Sequence, residues 1–228
     1  MTARHTPRGQ GRALDLRCYL VTSGVGRRTV ETAAAAAAAG AGVVQVRAKE
    51  ATTVELLELV LAVARAVQSA NPATTVLVDD RADVAAAARR RGAAVHGVHL
   101  GQEDLPVADA RDLLGPEAVI GLTTGTLELV RAAEQHRAQL DYLGAGPFRL
   151  TPTKDSGRPP LGVDGYVPLV AASSLPIVAI GDITPADAAD LAGAGVAGVA
   201  LVRAVMDAPD PAATVREVLS GFAAGRPG

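Results

Sequence analysis

Tryptophan is absent from the 228 residues, and the aromatic rings amount to three tyrosines and two phenylalanines. So few rings leave little surface for stacking bases. A formal net charge of -2 supplies no basic field to draw a polyanion, so nucleic acid is not an expected partner. Cysteine occurs once, which excludes an internal disulfide and favours a reducing, cytoplasmic setting. That residue, Cys18, lies in the apolar run Arg17-Cys18-Tyr19-Leu20-Val21, with no base beside it, and reads as a buried strand residue. Long hydrophobic runs are also missing. Ala33–Ala39 is too short and too weakly apolar to span a bilayer. The first fifteen residues carry Arg4, Arg8 and Arg12 without the apolar stretch of a secretory signal.

What is present is a chain that is 49% hydrophobic, long enough for one large core, and obliged to build it from Ala, Val and Leu. Short apolar runs recur at 18–22, 43–47, 75–79, 97–100, 118–122, 141–145, 177–180 and 198–202. Between them lie helical patterns near 29–39, 54–69, 82–90, 107–114, 126–137, 164–172, 185–192 and 211–222. Strict alternation of eight and eight predicts right-handed crossovers and a parallel sheet covered on both faces. Eight units predict closure into a single-domain (β/α)8 TIM barrel rather than an open doubly wound sheet. The barrel is expected over 16–223, with flexible tails at 1–15 and 224–228.

In such a barrel the working groups belong at the C-terminal ends of the strands. The second strand ends in Gln45-Val46-Arg47-Ala48-Lys49, where two cations beside an amide favour anion binding. The third ends in Asp79-Asp80-Arg81-Ala82-Asp83, whose adjacent carboxylates suit either Mg2+ or the cap of the next helix. After the fourth comes His99-Leu100-Gly101-Gln102-Glu103-Asp104, with Asp104 a second metal candidate and His99 either a ligand or a packed core residue. The sixth runs into a loop carrying Thr151, Thr153 and Lys154, and the stretch Gly157–Gly162 reads as a mobile lid. Ile180-Gly181-Asp182-Ile183-Thr184-Pro185, together with Arg203, occupies the place where barrels hold a phosphate on backbone amides. Thr184-Pro185 is equally ordinary helix-start chemistry.

These motifs, in this order from Arg17 to Phe222, resemble thiamine phosphate synthase. The resemblance implies a transferase that joins a pyrimidine diphosphate to a thiazole phosphate, or its carboxylated form, with Mg2+ and release of pyrophosphate. It implies that Gln45 contacts the aminopyrimidine, and that Arg47, Lys49 and Lys154 hold the diphosphate. It places Thr123 at the usual Ser position and Asp79 at a diphosphate-contacting position. Asp80 and Asp104 would hold Mg2+. Thr151, Thr153, Gly181 and Arg203 would hold the thiazole phosphate. A homo-oligomer is compatible with this reading.

The sequence departs from the family pattern at four places. Asp79 replaces the usual Asn and Asp182 a usual Gly, which adds negative charge where two phosphates would sit. Gly125 replaces a His, and Arg149-Leu150 an aromatic-Pro pair. Two other readings stay open: a non-catalytic or altered-specificity paralogue that binds a phosphorylated ligand, and an isomerase like the related thiazole tautomerase. Retention of Arg47, Lys49, Asp104 and Lys154 and the loss of the His at 125 count against the isomerase.

Overall fold

The structure, a computed structural model, describes residues 14–150 and 159–226. Eight strands, β1 (Cys18–Val21), β2 (Val43–Val46), β3 (Thr75–Asp79), β4 (Gly97–Leu100), β5 (Val119–Thr124), β6 (Tyr142–Ala145), β7 (Ile177–Ile180) and β8 (Gly198–Leu201), pair in sequence order. Every pairing is parallel. β1 pairs with both β2 and β8, with Tyr19 opposite Val43 and Ala200, so the sheet closes. The expected eight-stranded barrel is the observed one.

The first six strands are each followed by one helix: α1 (Arg27–Ala38), α2 (Thr53–Ala70), α3 (Ala82–Arg90), α4 (Val107–Leu114), α5 (Leu127–Glu134) and α6 (Tyr166–Ala172). The last two units are more elaborate. A 3-10 turn at Pro185–Asp187 precedes α7 (Ala188–Gly193), and β8 leads into a four-residue helix, α8 (Arg203–Met206), before α9 (Pro211–Gly225). The helical pattern near 211–222 is α9, and α8 is an addition that the pattern did not show. Pro209 and Pro211 prevent one helix from running through. Asp210 restarts it, its side chain accepting from the Ala213 amide at 2.9 Å ahead of Pro211 in the first turn. The chain thereby gains a short extra helix whose N-terminus faces the barrel mouth.

Two cores follow from strand alternation. Residues such as Val44, Val46, Val76, Val78, Val98 and Ile120 face the helices, where they meet Val60, Val63, Ala85 and Ala88. Their strand neighbours Tyr19, Val43, Leu77, Val119, Tyr142, Val178 and Ala200 fill the barrel itself. Cys18 is fully buried and unpaired, as its sequence setting suggests. At the lower rim, Arg111 of α4 reaches the fully buried Asp141 at 3.0 Å and the Gln139 carbonyl at 2.7 Å. It also donates to the carbonyls of Pro116 at 3.1 Å and of Ala118. Asp141 in turn accepts from the Ile120 amide at 2.8 Å, so this pair ties α4 to β5 and β6. No helix among the described residues is long and apolar enough to cross a membrane.

Candidate active site

At the C-terminal ends of β2 and β3 the opposite charges interlock. Arg47 lies 3.2 Å from Asp79, the last residue of β3, and Lys49 lies 3.8 Å from the same carboxylate. Lys49 also pairs with Asp80. Asp80 has φ 57°, in the left-handed region that non-glycine residues rarely occupy. The Arg81 amide closes a three-residue turn around it by donating to the Asp79 carbonyl at 2.6 Å. Backbone strain of this kind concentrates at working sites, and here it aims consecutive carboxylates into one cluster. Neither Asp79 nor Asp80 caps α3, whose start has no side-chain cap, so the capping reading falls away.

Asp104, in the loop after β4, completes the cluster. It accepts from the Gly101 amide at 2.6 Å and hydrogen-bonds the Asp80 carboxyl. Burial, then the Asp80 hydrogen bond, pushes Asp104 above the ordinary carboxylate range. Asp80 is also partly buried, which alone would raise it, but hydrogen bonds from Lys49 and Asp104 hold it low. Two neighbouring carboxylates repel when both are charged, which marks a place that a cation would relieve. Among the described residues no three or more His, Cys, Asp or Glu side chains form a metal cage. Mg2+ asks for only one or two carboxylates from a protein and keeps several of its waters. Asp79 behaves differently: burial, then the neighbouring Asp80 charge, pushes it up to about 6 despite the two cations.

Inside the barrel mouth runs a chain of buried and half-buried polar groups. Gln45 Nε2 donates to the Tyr19 hydroxyl at 2.9 Å, and Tyr19 and Tyr142 hydroxyls meet at 2.7 Å. Tyr142 meets His99 Nδ1 at 2.8 Å, and His99 Nε2 meets the Thr123 hydroxyl at 2.9 Å. The Tyr142 ring lies where a side chain on Gly121 would stand, since a Cβ there would come within 2.1 Å of its Cζ. His99 is thus a packed, hydrogen-bonded residue. Sequence reading missed Tyr19 and Tyr142, although two of only three tyrosines sat mid-strand and a buried phenol demands a partner.

The ends of β7 and β8 form the other part of the mouth. Gly181 has φ 117°, and a Cβ on it would press to 2.6 Å from the Phe148 amide nitrogen, so the loop after β6 packs directly on this backbone. Asp182 follows at φ 53°. Its carboxylate pairs with Arg203 at the start of α8, so the negative charge at the usual Gly position comes with its own cation. Arg149 stacks 4.4 Å over the Phe148 ring and grips the buried Asp187 through two guanidinium nitrogens, one at 2.7 Å. Asp187 in turn accepts from the Thr184 amide and hydroxyl, both at 2.8 Å, so Thr184-Pro185 does serve as a local cap. Thr151, Thr153 and Lys154, and the first two residues of the Gly157–Gly162 stretch, lie outside the described residues. Beyond them, Leu161 and Gly162 donate to the Pro147 and Phe148 carbonyls at 2.9 and 3.1 Å.

Comparison with known proteins bears on the family and the fold. Residues 18–205 match the family model described as thiamine monophosphate synthase. The thiamine-phosphate synthase of Corynebacterium efficiens is 58% identical over 213 residues, covering 93% of this chain and 97% of that protein. That of Corynebacterium jeikeium is 58% identical over 210 residues, covering 92% and 96%. The solved thiamine phosphate pyrophosphorylase of Pyrococcus furiosus superposes with a TM-score of 0.77 at 30% identity, covering 92% of this chain and 96% of its own.

Proposed function

Since the chain belongs to the thiamine monophosphate synthase family, and so is a transferase of thiamine biosynthesis, we propose that it condenses a pyrimidine diphosphate with a thiazole phosphate in an Mg2+-dependent substitution. The observation that carries this reading is the Arg47-Asp79-Lys49-Asp80-Asp104 cluster, where two cations and neighbouring carboxylates converge at adjacent strand ends. A purely isomerising or ligand-storing barrel has no use for both. Asp80 and Asp104 would hold Mg2+, which when bound offsets negative charge on the diphosphate. Gln45 addresses the pyrimidine. Arg47, Lys49, Lys154 and Thr123 address the diphosphate. Gly181, Arg203, Thr151 and Thr153 address the thiazole phosphate.

In this scheme the C–O bond to the diphosphate breaks first, and the thiazole nitrogen captures the pyrimidine cation with the liberated electron pair on pyrophosphate. No general base is required. The side chains bind the leaving group, neutralise its growing charge and keep water away. Incubating the pure protein with both substrates and Mg2+ should yield thiamine phosphate and pyrophosphate in equal amounts. Absence of both products would sink the proposal. A reducing, cytoplasmic location accords with the single buried cysteine.

Two of the four departures from the family pattern, Asp79 and Asp182, bear directly on how the phosphates bind. Asp79 occupies Arg47 and part of Lys49 before substrate arrives, so the diphosphate must take them over. Asp79→Asn should therefore lower KM for the pyrimidine diphosphate by about tenfold, the worth of one charged contact. The same variant should change stability in metal-free protein. A folded-state value near 6 against an ordinary 3.8 means that Asp79 stabilises the fold fully below about pH 4 and loses that contribution as pH rises through 6. The difference is about 2–3 kcal/mol. Asp79→Asn should then be more stable than wild type at neutral pH in urea melts with chelator, and should show a flatter profile between pH 4 and 6. Equal stability at neutral pH would refute the burial argument.

Asp182 likewise holds Arg203 away from an incoming phosphate and occupies a left-handed backbone that glycine adopts without strain. Asp182→Gly should lower KM for the thiazole phosphate by about two- to fivefold, in line with an exposed ion pair, and leave KM for the diphosphate unchanged. A rise in the thiazole phosphate KM would mean that Asp182 positions Arg203 rather than competing for it.

A further inference from the structure

The five-member chain Gln45–Tyr19–Tyr142–His99–Thr123 draws its members from β2, β1, β6, β4 and β5, so it crosses the barrel interior rather than following one strand. Each member can donate and accept, so the chain as a whole has two self-consistent directions. The Gln45 amide as placed donates its Nε2 to Tyr19. Tyr19 and Tyr142 are fully or nearly fully buried, and burial pushes both phenols well above their ordinary range, so each keeps one O–H to give. With Tyr19 accepting from Gln45, its own O–H goes to Tyr142, the Tyr142 O–H goes to His99 Nδ1, and His99 donates from Nε2 to the Thr123 oxygen.

We propose that this chain is one oriented relay in which Tyr19, Tyr142 and His99 are positioning residues, fixing Gln45 Oε1 as an acceptor at one end and the Thr123 hydroxyl as a donor at the other. The proposal rests on the reading that Gln45 meets the pyrimidine and Thr123 the diphosphate. Those two ends then match the substrate: an exocyclic amine offers hydrogens to Oε1, and a phosphate, which only accepts, takes the Thr123 hydrogen. Reversing the chain would turn Gln45 into a donor and leave Thr123 its oxygen lone pair only, which faces a phosphate badly. Both ends of one substrate therefore select the same direction, and the relay makes recognition of the ring and of the diphosphate a single event. Neutral His99 carrying its proton on Nε2 is a requirement of the scheme. Asp79, opposite His99 in the strand register, and Asp80 are the charged groups nearby that would favour a protonated imidazole instead.

The test is 15N NMR of His99 in the full-length protein at about pH 8, above the ordinary histidine range, combined with steady-state kinetics of single hydroxyl deletions. Wild type should show a neutral ring with the proton on Nε2. A proton on Nδ1, or a charged ring, overturns the proposal without any variant. Tyr142→Phe should lose the Nε2–H preference and raise KM for the pyrimidine diphosphate roughly tenfold, with kcat and the thiazole phosphate KM little changed. Tyr19→Phe should raise the same KM yet leave the His99 tautomer as in wild type, because the cut lies on the Gln45 side. A merely structural role would lower stability and both substrates' affinities together, with no such split, and that outcome also overturns the proposal. Gln45→Leu separates the two claims. If that variant binds pyrimidine diphosphate normally, the assignment of Gln45 to the pyrimidine has failed, whatever the tautomer shows.

Discussion

Replacing Arg47 by alanine is expected to lower kcat for thiamine phosphate formation by about 10²–10³-fold, the effect of removing one preorganised charge-stabilising donor. Two losses add. The guanidinium no longer meets the departing diphosphate, and Asp79, which it neutralises at 3.2 Å, is left to Lys49 alone. Lys49 is already committed to Asp80, so the variant places a poorly compensated carboxylate beside the leaving group. Arg47→Lys keeps the charge but not the planar fork, and should fall between wild type and alanine. The measurement is kcat with both substrates and Mg2+ saturating, alongside a melt to show that the barrel is intact. A change within about a factor of three would remove Arg47 from the chemical step.

The second large effect lies far from the mouth. Asp141→Ala should cost about 3–5 kcal/mol of folding stability, because it strands the Arg111 guanidinium at the lower rim. Arg111 is only 11% exposed and Asp141 not at all, so water cannot take over either role. The lost carboxylate also orphans the Ile120 amide that it accepts from. Truncating Arg111 instead should be no milder, since the carbonyls of Pro116, Ala118 and Gln139 lose their donor together. In thermal melts the expected fall is roughly 6–20 °C for a chain of this size. Turnover per folded molecule should be unchanged at low temperature. A variant that melts with wild type would show the pair to be solvated rather than buried in effect.

The architecture was legible because its signals are periodic. Eight apolar runs alternate with eight helical patterns, and parallel strands covered on both faces admit few topologies. The α8 helix was not, because four residues are too few to show a period and its end depends on Pro209 and Asp210. In the candidate site, charged side chains at strand ends could be read from order alone: Arg47, Lys49, Asp79, Asp80 and Asp104 meet as one cluster. How they pair could not. That Asp79 sits between the two cations, and that Asp182 carries Arg203 as its counter-ion, are facts of three-dimensional placement. The relay was hidden for a different reason. Tyr19 and Tyr142 lie 123 residues apart, in runs that read as ordinary core, and only the closure of β1 and β6 around one interior brings their hydroxyls together.

The central claim is that one barrel mouth holds two separate anion subsites, with the diphosphate subsite built on Arg47, Lys49, Asp80 and Asp104. Product inhibition by pyrophosphate in the presence of Mg2+ tests this most directly. Inhibition should be competitive against the pyrimidine diphosphate, non-competitive against the thiazole phosphate, and lost when Mg2+ is chelated. Competition against the thiazole phosphate instead, or inhibition indifferent to Mg2+, would contradict the account.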